Sequence, residues 1–241
     1  MHTKMRADRV FSWIRLFICR GVICAAIFIV GTVVTETQDF GALRGFVKVD
    51  VVPDTVMVAV EADQGVCGQQ IEDQSTLVDS SGGVANVVII VNGLPWINDP
   101  PPSMINNRKC FFEPRVQVVK TRSQIEILSE DETLHSTHAY DDRQRTMFNV
   151  AIPFPGLNIQ RPLRRPGVVR VECDSHSWMR GWIYVTDDVG TVSGMDGTFE
   201  ISRIPPGTYD LKIWHERYQE QTHSVVVTPG ETTEINLTLQ Y

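Results

Sequence analysis

Several kinds of chemistry are missing from this chain. It has no Gly-x-Ser-x-Gly, no Gly-rich phosphate loop ending in Lys-Ser or Lys-Thr, and no His-Glu-x-x-His, so hydrolase and nucleotide chemistry have no foothold. Positive charge is in deficit: 22 Lys and Arg stand against 29 Asp and Glu, a formal net charge of −7. No basic stripe is visible, which excludes nucleic acid as a partner. Long apolar runs are missing too. The one candidate, Gly21 to Thr35, is shorter than the ~20 residues of a comfortable membrane span and follows Lys4, Arg6, Arg9, Arg15 and Arg20. It lacks a clear Ala-x-Ala site. A basic stretch, an apolar run and then polar Glu36-Thr37-Gln38-Asp39 reads as a secretory signal over residues 1–38, with an uncleaved membrane anchor through residues 14–34 as the alternative. The expected location is periplasmic or otherwise extracytoplasmic. Loss of the leader would leave the remainder more acidic still, which suits a basic partner and salt-sensitive association.

Cysteine is scarce enough, at five, to be sorted by position. Cys19 and Cys24 lie in the targeting segment. Cys67 and Cys110 remain either as a disulfide, which an exported compartment permits, or as two buried thiols. Cys173 stands apart, in Cys173-Asp174-Ser175-His176-Ser177-Trp178-Met179.

Beyond the leader the pattern is strands from end to end. Residues 45–51 and 55–61 flank Pro53-Asp54 and predict a hairpin. The continuous apolar run Val84 to Val91, after Ser80-Ser81-Gly82-Gly83, predicts a central strand covered on both faces. Leu94 to Met104, with four prolines, is expected to be a loop. Arg115–Lys120 and Gln124–Leu128 alternate with period two and lead to His135. After Met147–Ile152 and a proline-bounded connection from Pro153 to Pro166, the strand Gly167–Cys173 puts Val169, Val171 and Cys173 on one face. The thiol is therefore expected to point inward. Gly181–Val185 follows the loop.

A thiolate, an imidazole and a thioether three residues apart are a soft donor set. With a second imidazole they select copper: thiolate and two imidazoles in a plane, a weak axial thioether, and a fixed geometry suited to electron transfer. His135, 38 residues before Cys173 in Asp131-Glu132-Thr133-Leu134-His135-Ser136-Thr137-His138, supplies the imidazole. Zinc competes, since two His and one Cys can bind it with an open position, and Met179 argues for copper. His138 is a further histidine; in an extended segment it faces away from His135, and in a helical turn it shares its face.

A lone upstream His followed by C-x-x-H-x-x-M at the close of a strand resembles the cupredoxins, and the loop spacing is similar to amicyanin's. The resemblance implies a Greek-key β-sandwich over residues 39–186 and one type 1 copper ion on His135, Cys173, His176 and Met179. It implies single-electron transfer without catalysis, a redox protein such as a c-type cytochrome or periplasmic dehydrogenase as partner, an exposed His176 edge where that partner docks, and Trp178 as a shield. Ser136 departs from the pattern, because plastocyanin-like proteins usually have an Asn there that ties the two ligand loops together.

A second unit is expected from residue 187 to 241. Asp196-Gly197-Thr198-Phe199-Glu200-Ile201 and Pro205-Pro206-Gly207-Thr208-Tyr209-Asp210-Leu211-Lys212-Ile213-Trp214 resemble the carboxypeptidase regulatory-like, transthyretin-like sandwich, related to the module beside the catalytic domain of rhamnogalacturonan lyases. Four short strands fall short of a complete sandwich, and one borrowed from the first domain would help close it. The all-β chain thus reads as an exported blue-copper protein. The alternative is a non-catalytic envelope or carbohydrate-binding protein with a structural or vestigial metal site, whose glycan binding would depend on Trp214 or Trp96. His215 and His223 read as structural or surface residues.

Overall fold

The computed structural model describes residues 39–240. Residues 1–38, expected to be a signal or anchor, lie outside them, and among the described residues no helix is long and apolar enough to cross a membrane. The first part of the chain contains β1 (Gly41–Lys48), β2 (Met57–Ala59), the single-turn helix α1 (Gln64–Cys67), β3 (Gln70–Glu72) and β4 (Val88–Pro95). The middle contains β5 (Ser103–Arg108), β6 (Phe111–Glu113), β7 (Val116–Lys120), β8 (Ser123–Ser129), β9 (His135–Tyr140), β10 (Thr146–Ile152), β11 (Ile159–Leu163), β12 (Gly167–Glu172) and β13 (Arg180–Thr186). The last part contains β14 (Asp188–Val192), β15 (Thr198–Ile204), β16 (Gly207–Trp214), β17 (Gln221–Val227) and β18 (Thr232–Thr238). The fold is all-β, as the alternating pattern predicts.

Two sandwiches share this chain. In the first, the sheet β10-β9-β12-β13-β7 faces β11-β8-β5-β6. Val119, Ala139, Val169, Val171, Ile183 and Val185 from one sheet meet Ile105, Phe112, Ile125 and Leu163 from the other in a single apolar core. In the second, β15-β1-β18 faces β14-β4-β16-β17, around Leu43, Val47, Ile89, Val91, Phe199, Ile201, Leu211, Ile213 and Leu237. The C-terminal residues therefore do not close this sandwich alone. Strands β1 and β4, from the first 95 residues, complete both of its sheets.

That borrowing explains the continuous apolar run. In β4 and just before it, Val87, Ile89 and Val91 fill the core of the second sandwich. The alternate residues Val88 and Ile90 turn the other way and pack with Val116, Val118, Trp182, Tyr184 and Trp214, residues of the first sandwich's outer face and of β16. A strand buried on both faces needs apolar residues at both parities, and β4 lies in its sheet interior between β14 and β16.

Three local expectations are corrected. The hairpin across Pro53-Asp54 does not form: β1 pairs antiparallel with β15 and parallel with β18, while β2 pairs with β3. Leu43 and Val47, both fully buried, face a core that only the distant strands supply. The proline-rich loop is shorter than expected, because β4 continues to Pro95 and β5 begins at Ser103. The connection from Pro153 to Pro166 contains β11, with Pro162 opposite Gln124. Proline is tolerated there because β11 is an edge strand and its outer side needs no donor.

Candidate metal centre

The site is built at one end of the first sandwich from β9, β12 and the loop after β12. Along β12 the inward parity holds: Val169, Val171 and Cys173 are all buried. The loop then folds into successive tight turns. His176 N–H donates to Cys173 O (3.3 Å), Met179 N–H to His176 O (3.0 Å), and Cys173 N–H to Met179 O (3.2 Å). The three-residue spacing thus returns each of the three ligand candidates to the same end of the sandwich. His135 is the first residue of β9 rather than part of the preceding loop. From there, alternation sends His135, Thr137 and Ala139 inward, all fully buried.

Three donor atoms converge. Cys173 Sγ lies 3.6 Å from His176 Nδ1 and 3.9 Å from His135 Nδ1, and the two Nδ1 atoms are 3.0 Å apart. The outer nitrogens are both held by carboxylates. His135 Nε2 is 2.9 Å from Asp131 Oδ2 and His176 Nε2 is 2.9 Å from Asp63 Oδ2. An ionised carboxylate only accepts, so each Nε2 carries a hydrogen, and a ring in its neutral form then leaves Nδ1 free to bind. Burial pushes the His135 imidazole below its ordinary range, against the opposing bond to Asp131. The hydrogen bond from His176 holds the Asp63 carboxyl below the usual carboxylate range.

The two Nδ1 atoms and the Cys173 sulfur face one another in a buried space at distances that a shared proton or a bound metal cation would each satisfy. A triangle with these sides has its centre about 2.1 Å from each corner, which is the length of a metal–imidazole bond. The donor set therefore fits copper or zinc. A second trio, Cys110, Asp131 and His135, also brings candidate atoms together, but Cys110 is bonded to Cys67 and offers no thiolate.

The remaining sequence candidates sort clearly. Met179 is 1 % exposed and belongs to the same apolar cluster as Cys173. His138 faces outward, as an extended segment requires. It contacts Asp174, Thr146 and Asn149 through its ring nitrogens and stacks on Tyr140 with centroids 4.1 Å apart, away from the trio. Ser136 takes up the tie between the ligand loops. Its Oγ accepts from Asp174 N–H at 2.7 Å and its own N–H donates to Cys173 Sγ at 3.3 Å. Cys67 and Cys110 form a disulfide with Cα atoms 5.5 Å apart, and Cys173 is the free thiol among the described residues.

One expectation is overturned. His176 has no exposed edge: it is 0 % exposed, because the segment carrying β2, α1 and β3 folds over it and is fastened by the disulfide. Asp63, at the N-cap position of α1, has a left-handed backbone (φ 52) and makes no side-chain cap to the helix. Its carboxylate is turned to His176 instead. Sequence reasoning missed Asp63, Asp131 and Asp174 as supports. Asp131, four residues before His135, carried a local signal; Asp63 carried none.

With the geometry described, the chain can be set beside known proteins. The carboxypeptidase regulatory-like domain family matches residues 183–240, which include β14 to β18 but not the two strands that complete their sheets. No curated protein sequence matches the chain. Among solved structures, a novel purple cupredoxin from Nitrosopumilus maritimus is similar at 16% identity, over 35% of this chain and 99% of that one, with a TM-score of 0.32. Amicyanin from Paracoccus versutus is similar at 13% identity, over 41% of this chain and 97% of its own, with a TM-score of 0.32. The copper-containing nitrite reductase of Thermus scotoductus matches at 19% identity over 38% of this chain and 24% of its own, with a TM-score of 0.31. The C-terminal residues are thus similar to a carboxypeptidase regulatory-like domain, and the three solved structures named are a cupredoxin, an amicyanin and a copper-containing nitrite reductase.

Proposed function

We propose that this protein is an exported type 1 copper protein that exchanges single electrons with a redox partner such as a c-type cytochrome or a periplasmic dehydrogenase. The observation that carries the reading is the convergence of Cys173 Sγ with two Nδ1 atoms at 3.0 to 3.9 Å. His135, Cys173 and His176 would hold the ion, with the Met179 thioether as a fourth, weaker donor. Copper bound there supplies one-electron exchange, and thiolate with imidazole suits both of its oxidation states. The chain's own residues do the rest. Asp131 and Asp63 fix the tautomer and angle of each ring, as carboxylates behind metal-bound histidines do. Ser136 holds the Cys173 loop against β9. The apolar packing around Cys173 and Met179 keeps water out and limits rearrangement when charge changes. An export segment and a disulfide fit the same oxidising compartment.

Copper(II) added to the metal-free protein should produce an intense thiolate-to-copper absorption band and a type 1 electron paramagnetic resonance spectrum, both lost in Cys173→Ser. A colourless complex of equal affinity would mean zinc-type coordination instead. A second reading is favoured by the complete burial of His135 and His176: a closed site suits a structural metal in a two-sandwich envelope or carbohydrate-binding protein. It predicts a metal that raises thermal stability but cannot be reversibly reduced. Voltammetry of the loaded protein separates the two.

A further inference from the structure

We propose that electrons reach and leave this centre through the indole of Trp178, at the wall of a cleft beside the ligand loop, and not through the edge of His176; the proposal rests on the copper reading above. His135 and His176 are 0 % exposed, Met179 1 % and Cys173 4 %, so no ligand side chain offers a partner an edge. On the His135 side the way out is closed by Asp131, which also accepts hydrogen bonds from the Lys109 and Cys110 amides. On the His176 side it is closed by Asp63 and α1.

Among the described residues, Trp178 sets its indole ring beside the His176 imidazole. Its centroid lies 5.0 Å from that of His176, with the planes tilted by 40°, and it is half-buried. Its other side lines a cleft of about 460 Å³ together with Val58, Ser177, Arg180 and Trp182. The indole is held in place: Nε1–H donates to Cys110 O at 3.2 Å. Cys110 therefore has two tasks. Its sulfur fastens the cover over His176, and its carbonyl fixes the ring that replaces the covered edge. The rim carries both signs of charge, Glu72 and Asp73 as well as Arg180 and Arg217, so a neutral probe tests the route without electrostatic steering.

The step itself is a plain one-electron transfer. An external one-electron donor loses an electron and the centre gains it; no bond forms or breaks, and no proton moves. The aromatic rings lie along the path as a conducting medium and are not themselves oxidised.

The test has two arms. In the metal-free protein, a soluble nitroxide should broaden the NMR signals of the Trp178 indole and leave those of the His176 ring sharp; the reverse pattern overturns the proposal. In the copper-loaded protein, stopped-flow reduction by hydroxymethylferrocene should slow roughly ten-fold in Trp178→Ala, a barrier higher by about 1.4 kcal/mol, with the absorption band unchanged. An intact band with an unchanged rate in Trp178→Ala overturns the route alone. Absence of the band in the unaltered protein overturns the copper reading. Where Trp178→Ala fails to fold, the nitroxide arm on the unaltered protein decides.

Discussion

His215 links acid sensitivity to the junction between the two sandwiches. Its side chain is 5 % exposed, its Nδ1 accepts from Arg217 N–H at 3.2 Å, and its ring lies 4.9 Å from that of Tyr218. Burial first, and then the positive charges of Arg115 and Arg217, push the imidazole from 6.5 down to about 4. The folded protein thus binds fewer protons than the unfolded chain between these values, so stability is full above pH 6.5 and falls as pH drops through the window. With each pKa unit worth 1.36 kcal/mol, the loss from this group is about 2.5 kcal/mol at pH 4.5 and approaches roughly 3.4 kcal/mol below pH 4. Urea unfolding at pH 7.0 and pH 4.5 measures it, by comparing the protein with His215→Gln. Other groups that change charge between the two pH values contribute equally to both proteins and cancel in the difference. The variant should lose about 2.5 kcal/mol less between the two pH values. An equal loss in both proteins would refute the assignment of this acid sensitivity to His215.

Further outcomes follow from other particular contacts. Asp131→Ala removes the support behind His135 and should weaken copper binding by roughly 10- to 100-fold, read by competition with a chelator. Reducing the Cys67–Cys110 disulfide releases a 43-residue constraint and should cost about 4 kcal/mol in chemical unfolding, with loss of the cover over His176. Glu216→Gln leaves Arg115 without its charge partner in a pair whose side chains are 8% and 5% exposed, and should cost about 3–5 kcal/mol. Gly197→Ala puts a side chain at φ 78 against the Val47 carbonyl and Gly83. It should destabilise the second sandwich by about 1–3 kcal/mol in thermal unfolding and leave the copper spectrum unchanged.

What could be read ahead of the structure was whatever the chain stores locally. The parity of Val169, Val171 and Cys173 is a property of one strand, and the three-residue steps to His176 and Met179 are a property of one loop. A single strand likewise explains why His138 faces away from the centre. The apolar run at β4 announced a strand covered twice, but not by what: Phe199, Ile201 and Leu237 on one face and the Trp182–Trp214 cluster on the other come from much later in the chain. The hairpin failed for the same reason. Residues 45–51 and 55–61 have strand character, but the choice of partner is decided by which pairing buries Leu43 and Val47, and that depends on β15 and β18.

The cover over His176 is the extreme case of a feature that local sequence does not hold. Asp63 is 113 positions from the histidine it contacts, and an exposed acidic residue between Ala62 and Gln64 reads as an ordinary solvated turn. Two features of the structure make it more than that. Asp63 adopts left-handed backbone at a helix start and makes no side-chain cap to that helix, so neither local use of the side chain accounts for its orientation. The segment is also tied down by a disulfide, Cys67 to Cys110, whose far half donates its amide to Asp131, the support of His135. One covalent link therefore fixes the supports of both histidines relative to each other. The two carboxylates set the ring tautomers, and the geometry of the donor triangle depends on both rings keeping their places. The donor trio and the cover are therefore expected to unfold together, and a chain lacking residues 57–76 should keep Cys173, His135 and Met179 yet lose the orientation of the His176 Nδ1.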